Sequence, residues 1–399
     1  MNLLHKVAIN KKILFILHDA SLSGAPILVL NLLKRLKQDR TDYLIDILLL
    51  KNGELYEDFA KVSNEIFTFN NTSESFSFLR RNLKKIQTIV LKKKETHQDK
   101  VDKIINKLLL NGYDLIYGNT IVTLSWTLPF YKKNIPTIIA VHELTFGIES
   151  VYSKEFVLEN ITNITKIIAG SRAVAENLIN QYHADPKKIN VVHSFIDSTL
   201  AIQKDKENLR KELAIPSNHL IVGIASAQEL RKGTEMIPLL VQKIAQKTDI
   251  PFTFINLGGD SKSSAVRCSK IDAEKLGVAD TMIFVSHNKF PNDYINLFDI
   301  FLLMSREDPF PLVMLTAAKL KKPIIAFEKS GGATEFLENE HGILVPYLDL
   351  DIMSTEVIKL MKEPQLREKL GKNIYKRLEE DYSDEKLTLD IFNLIDELV

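Results

Sequence analysis

Short apolar runs alternate with longer amphipathic segments along most of the chain. The runs place Ile, Leu, Val and Phe at consecutive positions, so both faces of each run are apolar, as is typical of parallel strands covered by helices on both sides. We predict strands at 12–18, 45–50, 65–69, 114–117, 136–141, 166–170, 188–193, 220–225, 251–257, 281–285, 299–304, 323–327 and 342–345.

The segments between these runs have the periodicity of amphipathic helices. After the first strand, Ile27, Leu30, Leu33 and Leu36 recur at every third position, and Val29 widens the apolar stripe. Strands that alternate with such helices predict doubly wound α/β structure with parallel sheets. The alternation runs twice along the chain, which predicts two Rossmann-like units.

The polar stretch 198–211 interrupts the alternation and is the predicted domain boundary. We predict a first, acceptor-side domain over 1–197 and a second, donor-binding domain over 198–380. The tail 352–399 has helical periodicity without a further strand, and its last part, 381–399, is predicted to cross back to the first domain. Two parallel sheets that face each other form a cleft at the carboxyl ends of their strands, where ligands bind in this architecture.

Composition limits the class of protein. Of 399 residues, 45% are hydrophobic and 26% charged, as in soluble globular proteins. The net charge of +1 gives no reason to expect a nucleic-acid partner. The single cysteine, Cys268, excludes an intrachain disulfide framework and fits a reducing compartment. No apolar run approaches the length that crosses a bilayer, so we expect a cytoplasmic protein.

The segment 77–110 departs from the pattern, because Leu, Ile and Val are interleaved with ten Lys and Arg residues and only three acids. One interpretation is a basic amphipathic helix around 80–94 that lies on an anionic membrane surface, which would make the protein membrane-peripheral. The other is the solvated face of an ordinary helix.

Two strand ends carry candidate anion sites. Arg231 and Lys232 follow the strand at 220–225 and precede a helix start, where side-chain charge and free backbone N–H groups can together seat a diphosphate. Gly331 and Gly332 follow the strand at 323–327, where glycine lets a ligand approach the backbone closely. The alternatives are a common surface Arg-Lys pair and a plain strand-to-helix turn.

Two strand ends in the first half carry weaker signals. Gly24 follows the first strand and could leave room for a sugar or phosphate, whereas Ser23 beside it could simply cap the helix. His142 and Glu143 end the strand at 136–141. A lone histidine is more often structural, but the neighbouring acid and the strand-end position favour a functional role.

These motifs, in this order, resemble those of the retaining family 4 glycosyltransferases, which have the GT-B fold. The resemblance spans nearly the whole chain and is most specific over 299–345. The matched features are the turn at 23–25, His142, Asp197, Arg231 with Lys232, the turn at 257–260 with Gly258, the block 305–315, and Gly331-Gly332-x-x-Glu335.

The hallmark of that family is a pair of glutamates with seven residues between them. Aligned on Phe310 and Leu312, the first position is Asp308, with Glu307 adjacent, and the second is Thr316 instead of glutamate. In homologous sites the first acid lies near the donor sugar and the second holds the ribose hydroxyls. A threonine makes at most one such hydrogen bond, without charge assistance, which puts donor affinity or nucleotide choice in doubt.

The resemblance implies transfer of a sugar from a nucleotide-diphosphate donor to a saccharide or lipid-linked acceptor, as in envelope polysaccharide or glycoconjugate assembly, with retained anomeric configuration. It implies no cofactor and no metal, since cations and helix starts stabilise the leaving diphosphate. The implied catalytic residues are His142, Asp308 and Glu307. The implied donor-binding residues are Gly24, Arg231, Lys232, Gly258, Pro309, Phe310, Pro311, Leu312, Thr316, Gly331, Gly332 and Glu335.

Two alternatives remain open from the sequence. One is a sugar-nucleotide 2-epimerase, which shares the fold and the nucleotide cleft. The other is a non-catalytic, glycosyltransferase-like subunit, which the replacement of the second glutamate by Thr316 keeps under consideration.

Overall fold

A computed structural model describes residues 10–70, 96–196, 200–287 and 290–399. Its first seven strands form one parallel sheet in the order β3-β2-β1-β4-β5-β6-β7. The order reverses between β1 and β4, which opens a crevice at their carboxyl ends. The strands are β1 Lys11–Leu17, β2 Tyr43–Lys51, β3 Glu65–Asn70, β4 Leu115–Asn119, β5 Thr137–Val141, β6 Lys166–Ala169 and β7 Ile189–Val191.

The remaining six strands form a second parallel sheet in the order β10-β9-β8-β11-β12-β13. Its order reverses between β8 and β11, so this sheet also has a crevice at its carboxyl edge. The strands are β8 Leu220–Ala225, β9 Phe252–Leu257, β10 Met282–Val285, β11 Ile300–Leu303, β12 Ile324–Phe327 and β13 Ile343–Val345.

Helices cover both sheets. They are α1 Gly24–Asp39, α2 Tyr56–Val62, α3 His97–Leu109, α4 Leu124–Tyr131, α5 Thr145–Glu149, α6 Lys154–Asn160, α7 Arg172–Tyr182, α8 Lys206–Glu212, α9 Ile237–Ala245, α10 Ser264–Lys275, α11 Pro291–Leu297, α12 Leu312–Lys319, α13 Ala333–Leu337, α14 Leu350–Lys362, α15 Pro364–Asp381 and α16 Asp384–Leu398.

The predicted strands and the α/β fold class are confirmed. Each strand begins and ends within two residues of its predicted limits. The central strands of both sheets are almost fully buried: the pattern of β1 is two half-buried residues followed by five buried ones, and all of β11 is buried. Apolar residues on both faces of a strand therefore indicate that the strand is buried between two layers of helices.

Helix α16 packs against the first domain. Its Asp384 accepts a hydrogen bond from Arg35 of α1 at 2.8 Å, and its Asp396 accepts one from Arg40 at 2.9 Å. These are surface ion pairs of small individual worth. Most of the attachment is apolar, because Ile395 of α16 is fully buried in the core cluster that also contains α1. The domain limits at 197 and 380 stay predictions.

Two predicted features lie outside the described residues, namely the basic stretch 80–94 and Asp197. The described end of the basic segment is α3, which begins with a capping box between Thr96 and Asp99. No helix within the described ranges combines the length and the apolar character needed to cross a membrane.

The burial pattern of α16 predicts which of its side chains stabilise the fold. We expect Ile395→Ala to lower the stability by about 2–5 kcal/mol, because it leaves a cavity in a closed core. Leu389→Ala, at a position of the same helix that is 52% exposed, should change it by no more than about 0.5 kcal/mol. Urea denaturation followed by circular dichroism measures both. Equal effects of the two substitutions would show that α16 is not docked as described.

Candidate active site

The loop after β8 lies directly against the end of β11. Gly233 adopts a left-handed conformation, with φ of 68°, and a Cβ at this position would lie 2.0 Å from the carbonyl oxygen of Met304. Only glycine allows both the conformation and the approach. The N–H of Arg306 also donates to the carbonyl of Arg231 at 2.8 Å. The basic pair is therefore held beside the loop that follows β11.

Lys232 and Arg231 contact the two acids that the sequence singled out. The Lys232 ammonium donates to the carboxylate of Asp308, which also accepts from Ser305 Oγ at 3.2 Å. Arg231 Nη1 donates to the carbonyl oxygen of Glu307 at 2.9 Å. Lys232 and Asp308 are 17% and 8% exposed, so their charges interact in a largely water-excluded environment.

The turn after β12 completes this side of the site. Asp308 pairs with Gly331 in a short parallel bridge, and Gly331 has φ of 119°, with a Cβ position only 2.0 Å from the carbonyl oxygen of Asp308. Gly332 donates its N–H to the carbonyls of Asp308 and Pro309 at 3.1 and 3.0 Å. The two glycines are therefore required by close backbone packing. The N–H of Gly332 is therefore used within the turn itself. The helix that follows, α13, is only five residues long.

The first domain meets the second at this edge. The carboxylate of Glu307 accepts the N–H of Phe146, near the start of α5, at 3.0 Å. A Cβ on Gly24 would lie 3.4 Å from Leu312, and one on Gly331 would lie 3.0 Å from Leu144. Burial raises the pKa of Glu307. Gly24 and the 305–312 loop, which were predicted to share one cleft, therefore face each other.

Glu335 joins the two domains. Its carboxylate accepts the Arg172 backbone N–H at 3.0 Å and the Arg172 Nε–H at 2.8 Å, and it lies 3.0 Å from His193 Nε2. Burial alone would raise the pKa of Glu335, but the hydrogen bonds from His193 and Arg172 hold it below its ordinary value. The predicted donor-binding role of Glu335 stays a prediction, and in this arrangement first-domain groups occupy its carboxylate.

His142 lies at the end of β5 among first-domain groups. Its Nε2 is 3.3 Å from Asn119 Oδ1, and Asn119 in turn donates its Nδ2 to the carbonyl of Ala25 at 3.2 Å. This orientation makes Nε2 the protonated nitrogen. Burial, with a smaller contribution from nearby His18, lowers the pKa of His142 to about 4. The imidazole is therefore neutral at physiological pH and ordered beside the Gly24 turn.

Glu143 fixes the backbone around His142. One carboxylate oxygen accepts the N–H of His142 at 2.9 Å and the N–H of Ile121 at 3.1 Å. Burial raises the pKa of Glu143 to about 7, against the opposing effect of these two hydrogen bonds. The acid thus ties the end of β5 to the segment after β4.

Phe310 and Gly258 have clear packing roles. The ring of Phe310 is stacked on Tyr382 at 5.6 Å between centroids and lies 5.1 Å from the His193 ring. A Cβ on Gly258, where φ is 118°, would lie 2.1 Å from the carbonyl oxygen of Ser226. Their predicted roles in donor binding stay predictions.

Helix α12 begins just after the acidic loop. Pro311 is its N-cap residue. Thr316 lies on the second turn and donates its hydroxyl back to the carbonyl of Leu312 at 3.4 Å. Ser23, the alternative cap of α1, makes no capping hydrogen bond, and its hydroxyl instead lies 2.9 Å from Ser21 Oγ.

Three residues that contribute to the site were not predicted from the sequence, namely Phe146, Arg172 and His193. Each follows a strand of the first sheet, after β5, β6 and β7. The signal was their position, because carboxyl ends of parallel strands share one edge. The interaction of Phe146 is made by its backbone N–H, so its side-chain type carried no information. Within the described residues, no group of three or more His, Cys, Asp or Glu side chains could hold a metal ion.

No hydrogen bond joins His142 to Glu307 or Asp308 within the described residues. The site instead has two parts. On one side lie the cations Arg231 and Lys232 with the two acids, and on the other lies a neutral, ordered imidazole. A cleft with these properties can hold an anionic leaving group and a neutral sugar between the domains.

Family models match both halves of the chain. Residues 22–200 match the family model described as "Glycosyltransferase Family 4", and residues 205–377 match "Glycosyl transferases group 1". The two matches follow one another along nearly the whole chain. The first match begins after β1 and covers β2 to β7, and the second covers all six strands of the second sheet.

Curated relatives are similar over part of their length. The chain is 24% identical over 221 residues to the N-acetyl-alpha-D-glucosaminyl L-malate synthase of Bacillus anthracis, a match that covers 54% of this chain and 56% of that protein. It is 29% identical over 153 residues to the O-antigen biosynthesis glycosyltransferase WclY of Escherichia coli, covering 38% and 41%. The matched region thus spans about half the length of these relatives.

Solved structures share the fold over almost the entire chain. The Anabaena HepE structure in complex with UDP superimposes with a TM-score of 0.78 at 19% identity, covering 97% of this chain and 100% of that one. WaaG, described as a glycosyltransferase involved in lipopolysaccharide biosynthesis, superimposes with a TM-score of 0.67 at 12% identity, covering 92% and 95%.

The superpositions show the GT-B architecture, and both halves of the chain match glycosyltransferase models. The chain belongs to glycosyltransferase family 4. The resemblance inferred from the sequence motifs and the predicted GT-B fold are both confirmed. The roles of the individual site residues stay predictions.

The raised pKa of Glu143 predicts a pH-dependent stability. Between the ordinary value of 4.5 and about 7, the folded protein binds more protons at this carboxyl than the unfolded chain does, so this group makes stability fall as the pH rises through that window. The Glu143→Gln variant does not ionise, so its stability relative to wild type should increase by about 1–3 kcal/mol from pH 4.5 to 7.5.

Urea denaturation of both proteins at several pH values across this window checks the prediction. A stability difference that is the same at every pH would show that Glu143 titrates normally.

Proposed function

We propose that this protein transfers a sugar, with retained anomeric configuration, from a nucleotide-diphosphate donor to a saccharide or lipid-linked acceptor. The observation that carries the proposal is the convergence of Arg231 and Lys232 with Glu307 and Asp308 at the edge where the second domain meets Gly24 of the first.

The basic pair supplies the leaving-group site. Lys232 donates one hydrogen bond to Asp308, and its ammonium has two further N–H groups. The Arg231 guanidinium likewise has donors beyond the one that contacts the carbonyl of Glu307. Negative charge grows on the diphosphate as the bond to the sugar breaks, and fixed cations placed there lower the barrier. In this scheme no metal ion is needed.

The reaction in this scheme exchanges one bond at the anomeric carbon. The bond between that carbon and the diphosphate oxygen breaks, and a bond from the acceptor hydroxyl oxygen forms on the same face of the sugar. The hydroxyl proton passes to the departing diphosphate, so the chain needs no dedicated general base. Closure of the two domains excludes water from the reacting centre.

His142 takes a role suited to a neutral imidazole. Its lowered pKa removes it as a cation at physiological pH. Its unprotonated Nδ1 remains able to accept a single hydrogen bond from a sugar hydroxyl, with the ring orientation set by Asn119. Glu307, held by the N–H of Phe146, approaches the same sugar from the opposite domain.

Uridine diphosphate sugars are the first donors to test. One HepE structure is a complex with UDP, and a second HepE structure, which superimposes with a TM-score of 0.77, is a complex with UDP-glucose. In the present chain the ribose partner is Thr316 and not a glutamate. We therefore expect weaker ribose recognition, with a larger share of the affinity resting on the diphosphate contacts. The cytoplasmic location and the membrane contact through 80–94 remain predictions.

Replacing Lys232 by Met should weaken UDP binding by about 10- to 100-fold, because a charge-assisted hydrogen bond contributes about 1.5–3 kcal/mol. Arg231→Ala should weaken it similarly. Lys275→Ala, which removes an exposed lysine at the end of α10, is the matched control and should leave the affinity unchanged. Isothermal titration calorimetry with UDP measures all three.

Thermal unfolding of the ligand-free variants confirms that each is folded. Unchanged UDP affinity in both site variants would contradict the proposed diphosphate site. Sugar turnover that releases UDP only when an acceptor is added would separate transfer from 2-epimerisation.

A further inference from the structure

A second binding region lies between the domains, beside the donor site. It is a cleft of about 700 Å³ between α7 of the first domain and the turn after β12 of the second, and we call it the α7 cleft. Its lining includes Glu307 but, among the described residues, neither Arg231 nor Lys232. The α7 cleft therefore shares one wall with the reacting centre and extends away from the cations that seat the diphosphate.

The first-domain wall of the α7 cleft is rich in side-chain amides. Asn177 lines it together with Asn180 and Gln181, which follow it by three and four residues and so lie on the same side of α7. An amide offers donors and an acceptor together, which matches hydroxyl groups that both donate and accept. The chemistry of this wall is that of a polyol-binding surface.

Two residues that line the α7 cleft each hold a buried polar atom that has no partner within the described part of the chain. Asn177 accepts a hydrogen bond from Thr145 Oγ1 at 2.6 Å, which fixes its amide, but its Nδ2 is buried without an acceptor. From the opposite wall, the hydroxyl of Thr334 is also buried and unpartnered.

Four carboxylates line the α7 cleft against three cations, namely Glu176, Glu307, Glu335 and Glu338 against Arg172, Arg306 and Lys329. Arg172 is paired with Glu335 and Glu338, at 2.8 and 2.6 Å, and Arg306 is paired with Glu235 at 2.6 Å. A site for a phosphorylated or carboxylated ligand needs an excess of cations, which this lining does not have. The α7 cleft instead favours a neutral ligand.

Tyr347 gives the α7 cleft an aromatic wall. It is 43% exposed, and its hydroxyl donates to the carbonyl of Arg306 at 3.3 Å, which fixes the ring at the second-domain side. A half-exposed ring combines an apolar face with a polar tip. Such a face can cover the C–H side of a pyranose while the amides of α7 bind its hydroxyls.

We propose that the α7 cleft binds the acceptor, and that the acceptor group it takes is a neutral sugar residue and not a sugar phosphate or a uronic acid. This inference rests on the proposed transferase function. The acceptor lies between the amides of α7 and the ring of Tyr347, with its reactive hydroxyl at the end of the cleft that Glu307 lines. The specificity for a neutral sugar follows from the lining of the cleft, in which carboxylates outnumber cations.

The test uses the full-length protein saturated with UDP and a panel of defined probes. The neutral probes are the octyl glycosides of glucose, galactose and N-acetylglucosamine, and the charged probes are glucose 6-phosphate and glucuronic acid. Saturation-transfer NMR measures binding of each probe. We expect at least one neutral glycoside to bind and neither charged probe to do so.

Asn180→Ala and Tyr347→Ala should weaken the binding of that glycoside at least fivefold and change the affinity for UDP less than twofold. Asn180 is an exposed residue, so its substitution leaves the fold intact. Gln246→Ala, which removes an exposed amide after α9, is the control and should change neither affinity.

Preferential binding of a charged probe, binding of none of the neutral glycosides, or unchanged glycoside affinity in both variants would overturn the proposal. If the wild-type protein binds a neutral glycoside but does not bind UDP, the proposed donor site is wrong and the proposed acceptor site in the α7 cleft still stands.

Discussion

The ion pair between Lys232 and Asp308 is the interaction on which the site depends. It joins the loop after β8 to the loop after β11, the two strands between which the order of the second sheet reverses. Because both partners are largely buried, each fixes the other, and the charge of the lysine stays at the crevice where a diphosphate would enter. The neighbouring glycines let the backbone close tightly around this pair.

A second set of contacts brings the first domain to that edge. Glu307 and Glu335 belong to the second domain, yet their carboxylates are bound by Phe146, Arg172 and His193 of the first. The acids identified from the sequence thus order the interface between domains as well as the site itself. The two domains can move apart only if these hydrogen bonds break.

The sequence predicted the sheets well because parallel buried strands are apolar on both faces, and it predicted the β8, β11 and β12 loops because glycines and charges follow those strands. It could not show that Lys232 would pair with Asp308, or that Glu335 would meet Arg172, since such pairings depend on how loops and domains pack in space. Glu307 contacts the backbone N–H of Phe146, so the residue type at position 146 could not predict this contact. The α7 cleft likewise arises from residues far apart in the chain.

The most direct test of the central claim is a crystal structure of the protein with bound UDP. The diphosphate oxygens should lie about 2.7–3.2 Å from the side-chain nitrogens of both Arg231 and Lys232, at the crevice between β8 and β11. A nucleotide bound elsewhere, with Lys232 contacting Asp308 alone, would contradict it.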